Sequence, residues 1–155
     1  MPPTPRGSVI ANKIVEHLEL NASSLGLKAV FYGDQARIPT SPVACVEPAI
    51  TDRELRTTQV GTTNTFQIAI LLYHTSIEGT QTIQEVLDVI SEDVAKSLNR
   101  ESMAPQVGGG TQFGGTIIHG HVRRLEFGYR LLADKLMRCN RLIWTGTTMT
   151  PLLEA

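Results

Sequence analysis

The segment from Thr62 to His74 constrains the fold more than any other stretch of the chain. Phe66, Ile68, Ile70 and Leu72 alternate onto one face of an extended strand, and Ala69, Leu71 and Tyr73 make the other face apolar as well. A strand apolar on both faces belongs in the middle of a sheet, where water is excluded from each side. The rest of the chain must therefore supply strands to flank it and a layer to cover it.

Two helical stripes supply the layer. After a turn at Glu78-Gly79, Thr82 and Glu85 have the spacing of a capping box, and Ile83, Val86, Leu87, Ile90, Val94 and Leu98 trace one apolar stripe that ends near Asn99 or Arg100. Near the start, Ser8 is placed to cap a helix to about Asn21, with Ile10, Ile14 and Leu18 at fourfold spacing and Asn12, Lys13, Glu16 and Glu19 on its polar face.

Between the helices the pattern reads as strands. Asn21 to Ser24 and Gly26 break the first helix, and Leu27 to Tyr32 reads as a short strand ended by Gly33-Asp34. Val43 to Glu47 reads as a short edge strand between turns set by Pro39, Pro42 and Pro48, because proline removes a ladder donor. Ala49 to Gly61, with Asp52, Arg53, Glu54 and Arg56, reads as a polar loop.

Beyond the second helix, Ala104 to Gly115 carries Pro105, Gly108-Gly109-Gly110 and Gly114-Gly115, the composition of a long mobile loop. Ile118 and Val122 share one strand phase and Leu125, Phe127 and Tyr129 the other, which predicts a β-bulge near Arg123-Arg124. Ala133-Asp134-Lys135 then turns the chain into a final strand from Leu136 to about Thr145. This order predicts an α+β domain with a mainly antiparallel sheet and helices packed on one face. A single domain over residues 1–155 is expected, with a flexible N-terminus at about 1–7 and the Gly-rich loop at about 104–115.

Composition narrows the function classes. A hydrophobic content of 41% and a charged content of 19% describe a globular chain, and a formal net charge of -1 gives no global reason to bind nucleic acid. No apolar run approaches the roughly 18–20 residues of a membrane helix, and Ile68 to Tyr73 is far too short. The proline-rich start Met1 to Gly7 lacks the apolar core of a secretory signal, so folding is expected in a reducing cytoplasm. Cys45 and Cys139, outside any CxxC or metal spacing, are expected as buried thiols.

Catalytic spacings find no support. His119 and His121 point to one face of a strand as two metal ligands would, yet no third ligand is identifiable, which leaves a small metal-dependent enzyme as the distant alternative. Gly108 to Thr111 resembles a phosphate loop but no Lys follows at P-loop spacing, and no GxSxG occurs. Asp88, Glu92 and Asp93 read as the solvated face of their helix. Arg123, Arg124, Arg130, Lys135, Arg138 and Arg141 enrich the last hairpin in positive charge, which suits a protein interface or plain solvated surface better than DNA.

Short motifs then recur in a recognisable order. Tyr32-Gly33-Asp34-Gln35, Ile38-Pro39, Pro42-Val43, Cys45-Val46-Glu47-Pro48 and Arg53-Glu54-Leu55 are followed by Tyr73-His74, the acidic helix, His119-Gly120, Glu126-Phe127-Gly128-Tyr129 and Arg141 to Gly146. Over about Lys28 to Leu152 this resembles the tail terminator (tail completion) proteins of long-tailed bacteriophages. Ala49 departs from the pattern, standing where the family has Gly after Glu-Pro, and the Gly-rich loop is longer.

The resemblance implies a virion structural protein without cofactor or enzymatic activity, located at the head-proximal end of the tail. Its partners would be further copies of itself in a hexameric ring, the tail tube protein and a head-side connector protein, with DNA passing only through the lumen. A head-completion or neck adaptor protein is the alternative in the same class. The charged residues Asp52, Arg53, Glu54 and Arg56, with Arg123 and Arg124, are the candidates for subunit or partner contacts.

Overall fold

The computed structural model describes residues 7–33, 42–56, 61–74, 80–102, 113, 119–132 and 135–151. Its centre is the two-sided apolar strand, β4 (Gly61–His74), which pairs antiparallel along its whole length with β6 (Lys135–Pro151). The opposite edge of β4 is shared: β3 (Ile50–Arg56) takes residues 61–67 and β2 (Val43–Val46) takes residues 70–73. β1 (Ala29–Tyr32) lies parallel to β2, and β5 (His119–Leu132) pairs antiparallel with β6. Among the described residues the sheet order is β1-β2-β4-β6-β5, with β3 off this path on β4.

Among the described residues, helices α1 (Gly7–Leu20), α2 (Ala22–Leu25) and α3 (Thr80–Ser102) complete an α+β fold with a mainly antiparallel sheet. Their buried apolar residues join one core, in which Ile10, Ile14 and Leu18 of α1 and Leu87, Val94 and Leu98 of α3 meet Ile68, Ile70, Leu72, Leu142 and Trp144 of the sheet. Each such burial is worth roughly 1.5–3 kcal/mol of transfer free energy. The other sheet face carries a smaller buried cluster of Val43, Cys45, Leu71, Tyr73, Met137 and Cys139. These two clusters account for the double apolarity of β4, and both cysteines are buried and outside any disulfide.

Several expectations change. Val43–Val46 is an interior strand rather than an edge strand, paired on both sides with all four residues buried. Pro42 and Pro48 flank the ladder instead of interrupting it, and the carbonyl of Pro42 accepts the Lys28 N–H at 2.8 Å. The expected polar loop from Ala49 to Gly61 contains β3, whose seven residues pair from Ile50↔Gln67 to Arg56↔Gly61. Charged residues hid it, because a backbone ladder at a sheet margin does not require an apolar face. The last strand runs to Pro151, well past Thr145.

Helix boundaries shift as well. Ser8 and Thr82 lie inside α1 and α3 rather than at their caps. The break after the first helix includes the single turn α2, ended by Gly26 at φ 80°, where the Gly26 and Leu27 amides return to the Ser23 and Ala22 carbonyls. Residues 1–6 and the Gly-rich stretch apart from Phe113 lie outside the described residues. No helix among the described residues is long and apolar enough to cross a membrane.

The bulge falls where the phase change predicts it, with the β5/β6 register slipping between Val122 and Arg124. The extra residue, Arg123, brings Val122 and Leu125 onto the same core despite their odd spacing. Asn99 of α3 reaches this point, its Oδ1 accepting the Val122 N–H at 2.6 Å.

Candidate subunit and partner interface

The two groups of candidate contact residues occupy different parts of the sheet. Asp52, Arg53, Glu54 and Arg56 stand opposite Thr65, Asn64, Thr63 and Gly61 on β3, and Asn64 in turn faces Thr148 of β6. Arg124 faces Ile143, which pairs with Ala69, so it lies five residues further along the β4 register than Arg53 and three strands away from β3. The structure therefore does not bring the two groups together.

At the bulge, Arg123 is exposed, and Arg124 Nε lies 2.9 Å from Glu126 Oε1. Arg141, the cross-strand partner of Glu126, approaches its other oxygen at 3.8 Å. The side chains are 37–64% exposed, so each pair is worth little, about 0–1 kcal/mol, and the three act mainly to fix one another's direction. Glu47 and Glu126 border a groove of about 270 Å³ on this face, floored by Leu71 and Cys139.

The acidic helix is not uniformly solvated. Glu92 and Asp93 are exposed, but Asp88 Oδ1 accepts from Asn140 Nδ2 at 3.0 Å and from Gln84 Nε2 at 2.7 Å. Asn140 also donates to Ser91 Oγ at 2.9 Å, so α3 is tied to β6 by a polar link within the core. Of the two strand histidines, His121 is exposed opposite Thr145, and His119 stands opposite Thr147. Among the described residues no three His, Cys, Asp or Glu side chains cluster as a metal site would require.

A second polar link joins the helices. His17 of α1 shares a 2.7 Å hydrogen bond with Ser97 Oγ of α3, beside a cleft that also exposes Lys96, Arg100 and Glu101. Burial holds the His17 pKa below its ordinary value, and the nearby Glu101 carboxylate partly offsets this. The His17 ring meets Phe113 edge-on at 6.2 Å, and Phe113 meets Trp144 edge-on at 5.8 Å. Phe113, the described residue of the Gly-rich stretch, is buried and makes these contacts with a left-handed φ of 51°.

Sequence reasoning missed the apolar surface. Val86, assigned to the core stripe, is 44% exposed, and Val89 beside it is 58% exposed. Phe127 and Tyr129 on β5 are also half exposed, and the Arg138 guanidinium carbon sits 4.5 Å from the Tyr129 ring centroid. The signal was present in Val89, an apolar residue out of phase with the helical stripe.

The chain matches no protein-family model, and no curated protein gives a significant match. Among solved structures it is similar in fold to a chain of a particle described as the virion of native gene transfer agent, at 13% identity and a TM-score of 0.52, over 91% of this chain and 95% of that one.

Proposed function

We propose that this chain is a non-enzymatic structural protein of a phage-like virion that caps the end of the tail tube as a hexameric ring. In that role it stops tube polymerisation and presents the surface to which the head joins. The observation that carries the reading is the near end-to-end fold likeness to a chain of a gene transfer agent virion. The ordered motifs from Tyr32 to Gly146 that resemble tail terminators support the narrower role. Exposed apolar surface in two separate places, on α3 and on β5, suits cyclic assembly, in which one surface of each subunit meets a different surface of the next.

Electron microscopy of particles assembled without the protein tests this. Overlong tails, or tails not joined to heads, are the expected result. Heads that leak DNA beside tails of normal length would assign the chain to head completion instead.

A further inference from the structure

Two exposed apolar patches lie at one level of the sheet and on its helix-bearing face, but toward opposite margins, one beside β2 and the other on β5. The first is on α3, where Val86 and Val89 frame an apolar groove of about 460 Å³ with Gly26 and Pro42, and Glu85 stands at its rim. The second is on β5, where Phe127 and Tyr129 are 56% and 52% exposed and Arg138 lies against the Tyr129 ring.

The register sets their relative height. Pro42 precedes Val43, and the row of Val43 continues through Tyr73 and Cys139 to Gly128, the residue between Phe127 and Tyr129. Three strand spacings, roughly 14 Å in all, separate β2 from β5, so the patches cannot cover each other within one chain. Their chemistry is nevertheless complementary: an apolar groove with an acidic rim on one side, and an aromatic pair with a cation on the other.

We propose that the Phe127–Tyr129 edge of one copy of this chain docks into the Val86–Val89 groove of a second copy, with Arg138 approaching Glu85 across the contact. The proposal rests on the ring-forming reading above and names the two surfaces that build the ring. A two-fold contact of either patch with itself would set Glu85 against Glu85 or Arg138 against Arg138, which opposes it. Patches at opposite margins of the sheet and at one level give a head-to-tail contact instead, the kind that closes into a ring. Among the described residues β5 ends the sheet, and a strand edge bearing exposed aromatic residues promotes association when left open.

Sedimentation of the full chain tests the proposal with two double variants, Val86→Asp/Val89→Asp and Phe127→Ser/Tyr129→Ser. The wild-type chain is expected to form an oligomer, and each double variant a monomer with an unchanged circular dichroism spectrum. An equimolar mixture should give a one-to-one dimer and nothing larger, because each variant keeps one intact surface. Glu85→Arg, a surface change that does not threaten folding, should weaken association about tenfold or more. A monomeric wild type, a double variant that still assembles, a mixture without dimers, or unchanged association of Glu85→Arg would each overturn the proposal. Failure of the capping reading is distinguishable, since particles lacking the protein would then have normal joined tails while self-association stayed intact.

Discussion

The indole of Trp144 lies across the backbone of Gly146, so closely that a Cβ at Gly146 would stand 2.7 Å from Cζ3 and 2.8 Å from Cζ2. Residues two apart on a strand share a face, and here the smaller one provides the space in which the larger is fully buried. Gly146 also pairs with Gly120 on β5, so two residues without side chains flank this position. The Trp-Thr-Gly sequence is thus a packing unit.

Gly146→Ala should destabilise the protein by about 1–3 kcal/mol or more, the usual cost of overpacking, because the indole must leave its place. Chemical denaturation measures the loss. The fluorescence of Trp144, the one tryptophan in the chain, should shift to longer wavelength in the folded state. An unchanged midpoint and spectrum would show that the ring is free to move aside.

Trp144 Nε1 donates to Ser102 Oγ at 2.9 Å, and both residues are fully buried. Ser102→Ala leaves that indole N–H without its partner, at an expected cost of about 1–3 kcal/mol. Trp144→Phe removes the donor, so Ser102→Ala should cost much less in that background. Equal costs in both backgrounds, measured by denaturation, would refute the coupling.

His17 makes stability depend on pH. Its folded-state pKa lies below the ordinary value of 6.5 because burial penalises the imidazolium, so below about pH 6.5 the unfolded chain binds protons that the folded chain refuses. Stability is therefore fully present above 6.5 and is lost as pH falls from there through the lower folded value. His74, also lowered by burial, acts in the same direction. His17→Gln should flatten the dependence between pH 7 and 5 without abolishing it; melting curves across that range with the wild-type slope would contradict the assignment.

The sequence made the interior legible and the margins much less so. β4, both long helices and the bulge at Arg123 follow from periodicity, since an apolar stripe has one way to face a core. By that logic Ile90, only 7% exposed, is a core residue of α3. β3 escaped because Asp52, Arg53, Glu54 and Arg56 carry no apolar alternation and only the pairing with β4 reveals the strand. The buried placement of Val43–Val46 escaped because parallel pairing with β1 is a long-range choice that flanking prolines do not disclose. The apolar patches on α3 and β5 were only partly legible for a different reason: Val89 falls outside the helical stripe, but Val86 and Phe127 obey local periodicity, and only the extent of the covering layer decides that they are exposed.

Arg53→Glu/Arg56→Glu is expected to impair ring formation and tail capping more than folding. On β3 the two positions stand opposite Asn64 and Gly61, and among the described residues β3 pairs only with β4. Substitution there leaves the backbone ladder intact, while a charge pair desolvated against a neighbouring subunit can be worth about 2–5 kcal/mol on removal of one partner. Circular dichroism should match wild type while a complementation assay shows lost capping. Normal spectra with normal capping would sink the prediction.

Asn99 ties α3 to the edge strand β5 at its bulge. The bulge disrupts the ladder beside Val122, and the Asn99 Oδ1 bond at 2.6 Å gives the Val122 amide a side-chain acceptor there. Asn99→Leu keeps a helix-compatible side chain of similar size and removes the acceptor, so stability should fall by about 1–3 kcal/mol. Hydrogen exchange is the direct readout: protection of the Val122 amide should drop in the variant, with amides at the centre of β4 changing only by the global loss. Retained protection at Val122 would mean that another group accepts this hydrogen bond and that Asn99 does not tie α3 to the bulge.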